Sequence, residues 1–228
     1  ADAVILDLED GVAPARKTEA RKLIRGFLQA QNGRAIEWLI RLNGFHTPYF
    51  EADLEASVRA GPDALVIPKV DSPELLQLVD GHLTEAEHAS ALPPGSLRLF
   101  ALIESARGIL NAPAIATATS RLEGLILGHV DLSVDLGIRP GRAGEGIVQH
   151  ARCQLVLAGR AAGVDVVDTI CLNIRDSPGS WRSTRRKSRS FTKPSPRLWN
   201  ACGRRSGSWR PGGRPKPRAA ESARWTAT

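Results

Sequence analysis

The strongest constraint on the fold of this chain is a set of short apolar runs that end in charged or amide side chains. Runs of this length, rich in Val, Ile and Leu, are typical of strands buried on both faces of a parallel sheet. Five runs are clear, and they end at Asp7-Leu8-Glu9-Asp10, Arg41-Leu42-Asn43, Lys69, Glu104 and Asp131. A β/α barrel would gather these side chains at one mouth, which is the arrangement of an enzyme site.

The segments between the runs have helical patterns. One apolar face is predicted for a helix over residues 14–31, formed by Leu23, Ile24, Phe27 and Leu28. Ser72-Pro73 predicts a capped helix start that leads toward residue 84. Further helices are predicted over residues 50–60, 106–119 and 147–162, a glycine-rich connection over 137–146, and a sixth strand over 164–172. Each βα unit needs roughly 30 residues, so this segment holds about six.

We therefore predict an α/β fold, an incomplete TIM-type (β/α)8 barrel of about six βα units over residues 1–176. A closed barrel has eight strands and typically about 250 residues, so two strands are missing from the pattern. The alternative is an open, doubly wound sheet. That arrangement would concentrate its chemistry at one switch point instead of placing charged groups at nearly every strand end.

Residues 177–228 differ sharply from the rest in charge and composition. They hold 14 of the 31 Lys+Arg and one of the 24 Asp+Glu, which gives them a net charge of +13 against −6 for residues 1–176. They lack hydrophobic periodicity and are dense in Arg, Ser, Pro and Gly, so we predict a disordered basic tail. Out-of-frame translation of GC-rich DNA explains this mixture better than the alternative, a nucleic-acid-binding arm with Arg on phosphates and Trp on bases.

Cysteine use and hydropathy predict the compartment. Cys153, Cys171 and Cys202 have neither CxxC nor metal-ligand spacing, which favours a reduced, cytoplasmic protein. The sequence shows no signal peptide and no apolar stretch long enough to cross a bilayer, so we expect no membrane partner. Nucleic acid is likewise not the expected partner.

Five motifs in order resemble one family. "ADAVILDLEDGV", "IRLNG", "ALVIPKV", "ALIESARGILNAPAIA" and "LILGHVDLSVDLGI" together are similar to the HpcH/HpaI aldolase and citrate lyase beta-subunit family, over about residues 2–176. The resemblance implies a β/α barrel, a divalent cation (Mg²⁺ or Mn²⁺) and a homo-oligomer when the chain is full length. It also implies cleavage or formation of a carbon–carbon bond next to a carboxylate or an acyl-CoA thioester.

The resemblance assigns roles to the strand-end residues. It implies that Glu104 and Asp131 bind the metal, with Glu104 also at the substrate, and two carboxylates with water and substrate oxygens suit Mg²⁺. The alternatives are a helix cap for Glu104 and a loop cap for Asp131. Arg41 matches the family's substrate-carboxylate arginine, with an ion pair to Asp7 or Glu9 as its alternative.

The remaining candidates line the same mouth. Asp7, Glu9 and Asp10 are expected to hold metal-bound water or to orient the arginine, as the family pattern implies. Lys69 is a second candidate cation, with a plain salt bridge equally open. The pattern departs from the family where it lacks an "LFVPG"-type first strand and a "GK…IHP" last strand, so we expect a barrel truncated at both ends. An inactive fragment is therefore the alternative to an active lyase.

Overall fold

A computed structural model describes residues 3–31, 36–138 and 142–168, and the side chains of residues 142–145 are not part of that description. The predicted tail over residues 177–228 lies outside the described residues. Along the chain, the strands are β1 (Ala3–Asp7), β2 (Glu37–Arg41), β3 (Ala64–Ile67), β4 (Arg98–Ile103), β5 (Leu122–Leu127) and β6 (Asp165–Val167). The helices are α1 (Lys17–Gln29), α2 (Phe50–Ala60), α3 (Pro73–Ala89), α4 (Ala106–Ile115), α5 (His129–Asp135) and α6 (Arg142–Ala162), with a 3₁₀ turn over Pro14–Arg16.

The six strands form one parallel sheet whose spatial order follows their order in the chain, β1-β2-β3-β4-β5-β6. A doubly wound sheet reverses direction at a switch point, and this sheet does not, so the described strands are wound in one direction as in a β/α barrel. The predicted fold of about six βα units is confirmed. Every strand therefore brings its carboxyl end to the same edge of the sheet.

The sheet is packed on both faces, although unequally. The main apolar core joins the strands to the helices, and fully buried side chains such as Ile40, Leu65 and Leu99 belong to it. The opposite face carries a smaller cluster formed by Leu39, Ala64, Val66, Leu102 and Ile126. This alternation explains why the strands read as continuous apolar runs, because successive residues point to two different apolar layers.

Local signals fix where the helices start. The Ser72 hydroxyl accepts a hydrogen bond from the Leu75 amide at 3.3 Å, and Pro73 is the first residue of α3, as predicted. The Ser105 hydroxyl accepts from the Gly108 amide at 3.1 Å and caps α4. The cap of α4 is therefore Ser105, which leaves the side chain of its neighbour Glu104 available to the mouth.

The region after β5 differs from its prediction. Residues 129–135 form α5, a helix that was not predicted, and α6 begins at Arg142, inside the predicted glycine-rich connection, instead of at residue 147. Glycines at 144 and 146 weaken the helical pattern at the start of α6, but a helix tolerates them at a cost of about 1 kcal/mol each. The predicted end of the sixth strand at residue 172 lies outside the described residues.

The predicted apolar face of α1 is partly wrong. Leu28 is buried, but Leu23 and Phe27 are 63% and 40% exposed. The face that meets the sheet instead contains Lys17, Ala20, Ile24 and Leu28 at helical spacing. The phase was missed because a buried lysine starts this face, and a lysine is normally assigned to the solvent side.

No helix in the described part of the chain is long and apolar enough to span a bilayer.

A carboxylate pair and an arginine cluster at the mouth of the sheet

Glu104 follows the last residue of β4 and lies at the carboxyl edge of the sheet. Its side chain is buried, with only 5% of the residue exposed, and Oε1 accepts a hydrogen bond from the Lys69 amide at 2.8 Å. Gly128, just after β5, leaves room for this carboxylate, because a Cβ added there would lie 2.7 Å from Oε2 and from Cβ of Glu104. The position of Glu104 is thus set by its two neighbouring strands.

Asp131 completes a pair of carboxyl groups. It lies in the first turn of α5, and its side chain is hydrogen bonded to that of Glu104. Burial is the largest cause that raises the pKa of Glu104, to about 8, followed by Asp131 and the nearby charge of Glu9, while the Lys69 amide opposes the rise. Near neutral pH Glu104 therefore retains a proton, which is expected for a buried carboxyl group beside other acids.

Arg41, the last residue of β2, is held by two carboxylates. Its Nε and Nη2 donate to the two oxygens of Asp7, each at 2.7 Å, and Nη1 lies 3.0 Å from Glu9 Oε2. The structure thus contains the ion pair of Arg41 with Asp7 and Glu9, which was the alternative to a substrate-binding role. Burial would raise the pKa of Asp7, but hydrogen bonds from Arg41 and from the Glu9 and Gly11 amides outweigh it and keep the pKa low.

Glu9 connects the arginine to Lys69. Only 4% of Glu9 is exposed, and neither carboxylate oxygen has a well-aligned hydrogen bond. Charge contacts hold it instead, from Arg41 and from Lys69 Nζ, which lies 3.1 Å from Oε1. Burial raises the pKa of Glu9 more than these two cations lower it. Glu9 is thus a carboxylate whose charge depends on its two basic neighbours.

Lys69 touches both halves of the site. Its amide binds Glu104 and its ammonium reaches Glu9, while 59% of the side chain remains exposed at the mouth. The backbone adopts a left-handed conformation with φ of 57°, which is costly for a residue other than glycine. Asp10 is exposed on the turn after β1 and adds negative charge near Arg41 and Lys69. The structure therefore brings together all seven predicted site residues.

Sequence reasoning missed the groups behind this mouth. Lys17 buries its ammonium group beneath the turn after β1, and Asn43 and Asp53 connect it to β2 and α2. His129, the first residue of α5, also lies at this edge, and burial followed by the charge of Arg152 lowers its pKa. Asn43 closes one of the apolar runs, but a partner 26 residues away leaves no periodic signal in the sequence.

The donor set at Glu104 and Asp131 suits a hard divalent cation. In the described part of the chain, no group of three or more His, Cys, Asp or Glu side chains could hold a metal by themselves. Mg²⁺ is commonly bound by one or two carboxylates, with water and substrate oxygens in the other positions. A cation beside Glu104 would also replace the proton that this buried carboxyl group otherwise retains, so the residues fit this ion.

The chain resembles characterised proteins over most of its length. The citrate lyase beta subunit of Leuconostoc mesenteroides subsp. cremoris is 35% identical over 184 residues, which are 81% of this chain and 61% of that protein. The (3S)-malyl-CoA thioesterase of Cereibacter sphaeroides strain KD131 is 38% identical over 181 residues, or 78% and 58% of the two chains. This chain therefore spans about three fifths of the length of these relatives.

A solved structure supports the same relationship. The citrate lyase beta subunit of Mycobacterium tuberculosis, solved with oxaloacetate and magnesium, matches with a TM-score of 0.61 and 31% identity, over 77% of this chain and 72% of that one. The sequence pattern of the HpcH/HpaI aldolase/citrate lyase family matches residues 1–189. By sequence and by fold, the chain belongs to the HpcH/HpaI aldolase/citrate lyase family.

Proposed function

We propose that this protein is a magnesium-dependent carbon–carbon lyase that acts next to a carboxylate or an acyl-CoA thioester. One observation carries the proposal: a buried carboxylate pair, Glu104 and Asp131, shares one mouth with the Arg41 cluster, and Lys69 contacts both. The first group suits a divalent cation and the second suits an anionic substrate. Lyases and a CoA thioesterase among the relatives agree with this division.

In the proposed site Glu104 and Asp131 hold Mg²⁺, or Mn²⁺ in its place. When bound, the ion would polarise the oxo or hydroxyl oxygen beside the bond that breaks. The relative from M. tuberculosis was solved with magnesium and oxaloacetate, a 2-oxo acid, which supports the pairing of ion and substrate class. Glu104 keeps one oxygen on the Lys69 amide, so its other oxygen, beside Gly128, faces the site.

Arg41 is proposed to bind the substrate carboxylate while it remains paired with Asp7. A guanidinium has five N–H donors, and two of those of Arg41 donate to Asp7, while Nη1 lies 3.0 Å from Glu9 without a well-aligned hydrogen bond. The Asp7 pair does not use all the donors, so the ion pair and a substrate contact are compatible. The side-on pair with Asp7 fixes the plane of the guanidinium, which gives orientation before the substrate arrives. The exposed ammonium of Lys69 adds positive charge at the entrance.

The test measures both metal binding and turnover on the 228-residue chain. Mn²⁺ binding is followed by electron paramagnetic resonance, and turnover is assayed on a panel of acyl-CoA esters and 2-oxo acids. Glu104→Gln and Asp131→Asn should weaken Mn²⁺ binding and lower turnover at least about 100-fold, since each removes a ligand charge. Glu85→Gln, an exposed acid on α3, is the control.

The arginine role has a separate prediction. Arg41→Lys keeps the charge but loses the planar fork, so KM for a carboxylate substrate should rise about tenfold or more while Mn²⁺ affinity stays unchanged. If the Glu104 and Asp131 variants match the Glu85→Gln control in Mn²⁺ affinity and in turnover, the proposed function is wrong.

A further inference from the structure

Lys17 is a buried cation that the proposed reaction does not use. Only 5% of this residue is exposed. Its Nζ donates to the Leu8 carbonyl at 2.7 Å, to the Glu9 carbonyl at 2.7 Å and to Asn43 Oδ1 at 2.8 Å. An ammonium group has three donors, and all three are used. Lys17 therefore has no donor left for a substrate, and its role must lie in what it holds.

What Lys17 holds is the main chain around Glu9. The Leu8 carbonyl belongs to the peptide group before Glu9, and the Glu9 carbonyl belongs to the one after it, so both peptide planes that flank the Glu9 Cα are fixed by one ammonium. This matters because the Glu9 carboxylate has no well-aligned hydrogen bond of its own. The position of the Glu9 carboxylate is therefore set by the backbone conformation of Glu9, and its charge contacts with Arg41 and Lys69 depend on that position.

The same network also fixes the arginine. Asn43, two residues after Arg41, donates its side-chain amide to the Leu8 carbonyl at 2.9 Å, and its backbone amide donates to Asp53 Oδ2 at 3.0 Å. Arg21 of α1 donates to the other oxygen of Asp53 at 2.6 Å. Contacts from α1 and α2 thus fix the chain just after β1 relative to the chain just after β2. Glu9 lies just after β1 and Arg41 is the last residue of β2, so the contact between them depends on this arrangement.

We propose that Lys17 is a positioning residue: it fixes the turn after β1, which carries Glu9 and whose amides bind the Asp7 carboxylate, and through these two carboxylates it orients the guanidinium of Arg41. Asp7 also accepts from the amides of Glu9 and Gly11, at 2.8 and 2.9 Å, so a shift of this turn moves both carboxylates that hold the arginine. The inference about orientation stands on these contacts alone. Its consequence for substrate binding rests on the proposed function.

The test follows the Nε–H resonance of Arg41 in the ¹⁵N-labelled 228-residue chain, assigned by its loss in Arg41→Lys. In the wild type the bond to Asp7 should slow exchange of this proton with water. Lys17→Met, which keeps the length of the side chain but has no donors, should speed this exchange at least about tenfold, the factor that matches the loss of one hydrogen bond's local stability. Lys22→Met, on the exposed side of the same helix, is the control and should leave the rate unchanged.

A binding measurement separates this inference from the proposed function. With Mg²⁺ present, Lys17→Met should raise the Kd for pyruvate about tenfold and leave the affinity for Mn²⁺ within about twofold of wild type. If the wild-type chain does not bind pyruvate, the proposed function loses support. The exchange rate of the Arg41 Nε–H proton would still decide the role of Lys17.

Two results would overturn the positioning role. One is a folded Lys17→Met chain whose Arg41 proton exchanges at the wild-type rate. The other is loss of the fold in both Lys17→Met and Lys17→Gln, because the lysine would then support the whole sheet and not one turn.

Discussion

The carboxylate pair predicts an unusual dependence of stability on pH. The pKa of Glu104 is raised from 4.5 to about 8, mainly by burial. The folded state thus holds a proton that the unfolded chain releases, and stability falls as the pH rises. The contribution of Glu104 is fully present below about pH 4.5 and is lost by the time the pH passes about 8. Below about pH 4.5 Glu104 is protonated in both the folded and the unfolded chain, so it causes no loss of stability there.

The size of the fall follows from the two pKa values. They differ by about 3.5, and each pKa unit corresponds to about 1.36 kcal/mol, so the upper limit is about 5 kcal/mol. The groups around Glu104 relax when its proton leaves, which lowers the cost of ionisation, so we expect a fall of more than about 2 kcal/mol in the free energy of unfolding.

The assay is urea unfolding of wild type and Glu104→Gln at intervals between pH 5 and pH 8.5. Glutamine keeps an oxygen for the Lys69 amide but cannot ionise, so the variant should lack the part of the fall in free energy of unfolding that comes from ionisation of Glu104. The difference between the two curves is the measurement, because other titrating groups affect both. Saturating Mg²⁺ should also remove the wild-type fall, since a bound cation stabilises the ionised pair. Parallel curves for the two proteins would refute the reasoning.

Two further predictions test the surroundings of the site. Gly128→Ala places a methyl group 2.7 Å from the Glu104 side chain and should displace that carboxylate. Mn²⁺ affinity, measured by electron paramagnetic resonance, should therefore fall at least about tenfold. An unchanged affinity would show that Glu104 can move without loss of metal binding. Arg121→Met leaves the carboxylate of Glu87, which is fully buried, without its 2.8 and 2.9 Å ion-pair partner, and should lower the urea-derived free energy of unfolding by about 3–5 kcal/mol. Its Mn²⁺ affinity should not change, because this pair lies at the opposite end of the strands, and a cost below about 1 kcal/mol would contradict the argument.

The sequence was informative where structure follows from local pattern. Helix α2 (Phe50–Ala60) has the predicted bounds, because its apolar stripe marks its own ends. Glu104 and Asp131 could be placed together because consecutive parallel strands are neighbours. The short helix α5 could not, since seven residues hold too few turns for a period to show.

The groups that support the site were beyond such patterns. Lys17 meets Asn43 across 26 positions, and its burial contradicts what its side chain alone suggests. Only after the sheet is assembled do three acceptors converge on the ammonium and offset the cost of burying it. The roles proposed for the site residues came from the five motifs, whereas the contacts that hold those residues in place could be seen only in the tertiary structure.

The left-handed backbone at Lys69 has a consequence for how this mouth can change through substitution. The anchor for Glu104 is an amide N–H, which every residue except proline possesses, whereas the charge that faces the entrance is carried by the side chain. Glycine and asparagine adopt this conformation at lower cost than lysine. Position 69 can therefore exchange a cation for a neutral group and keep Glu104 in place. The side chain of residue 69 sets the charge that an incoming anion meets, and its backbone amide holds Glu104. Substitution at this position can therefore change the first property without changing the second.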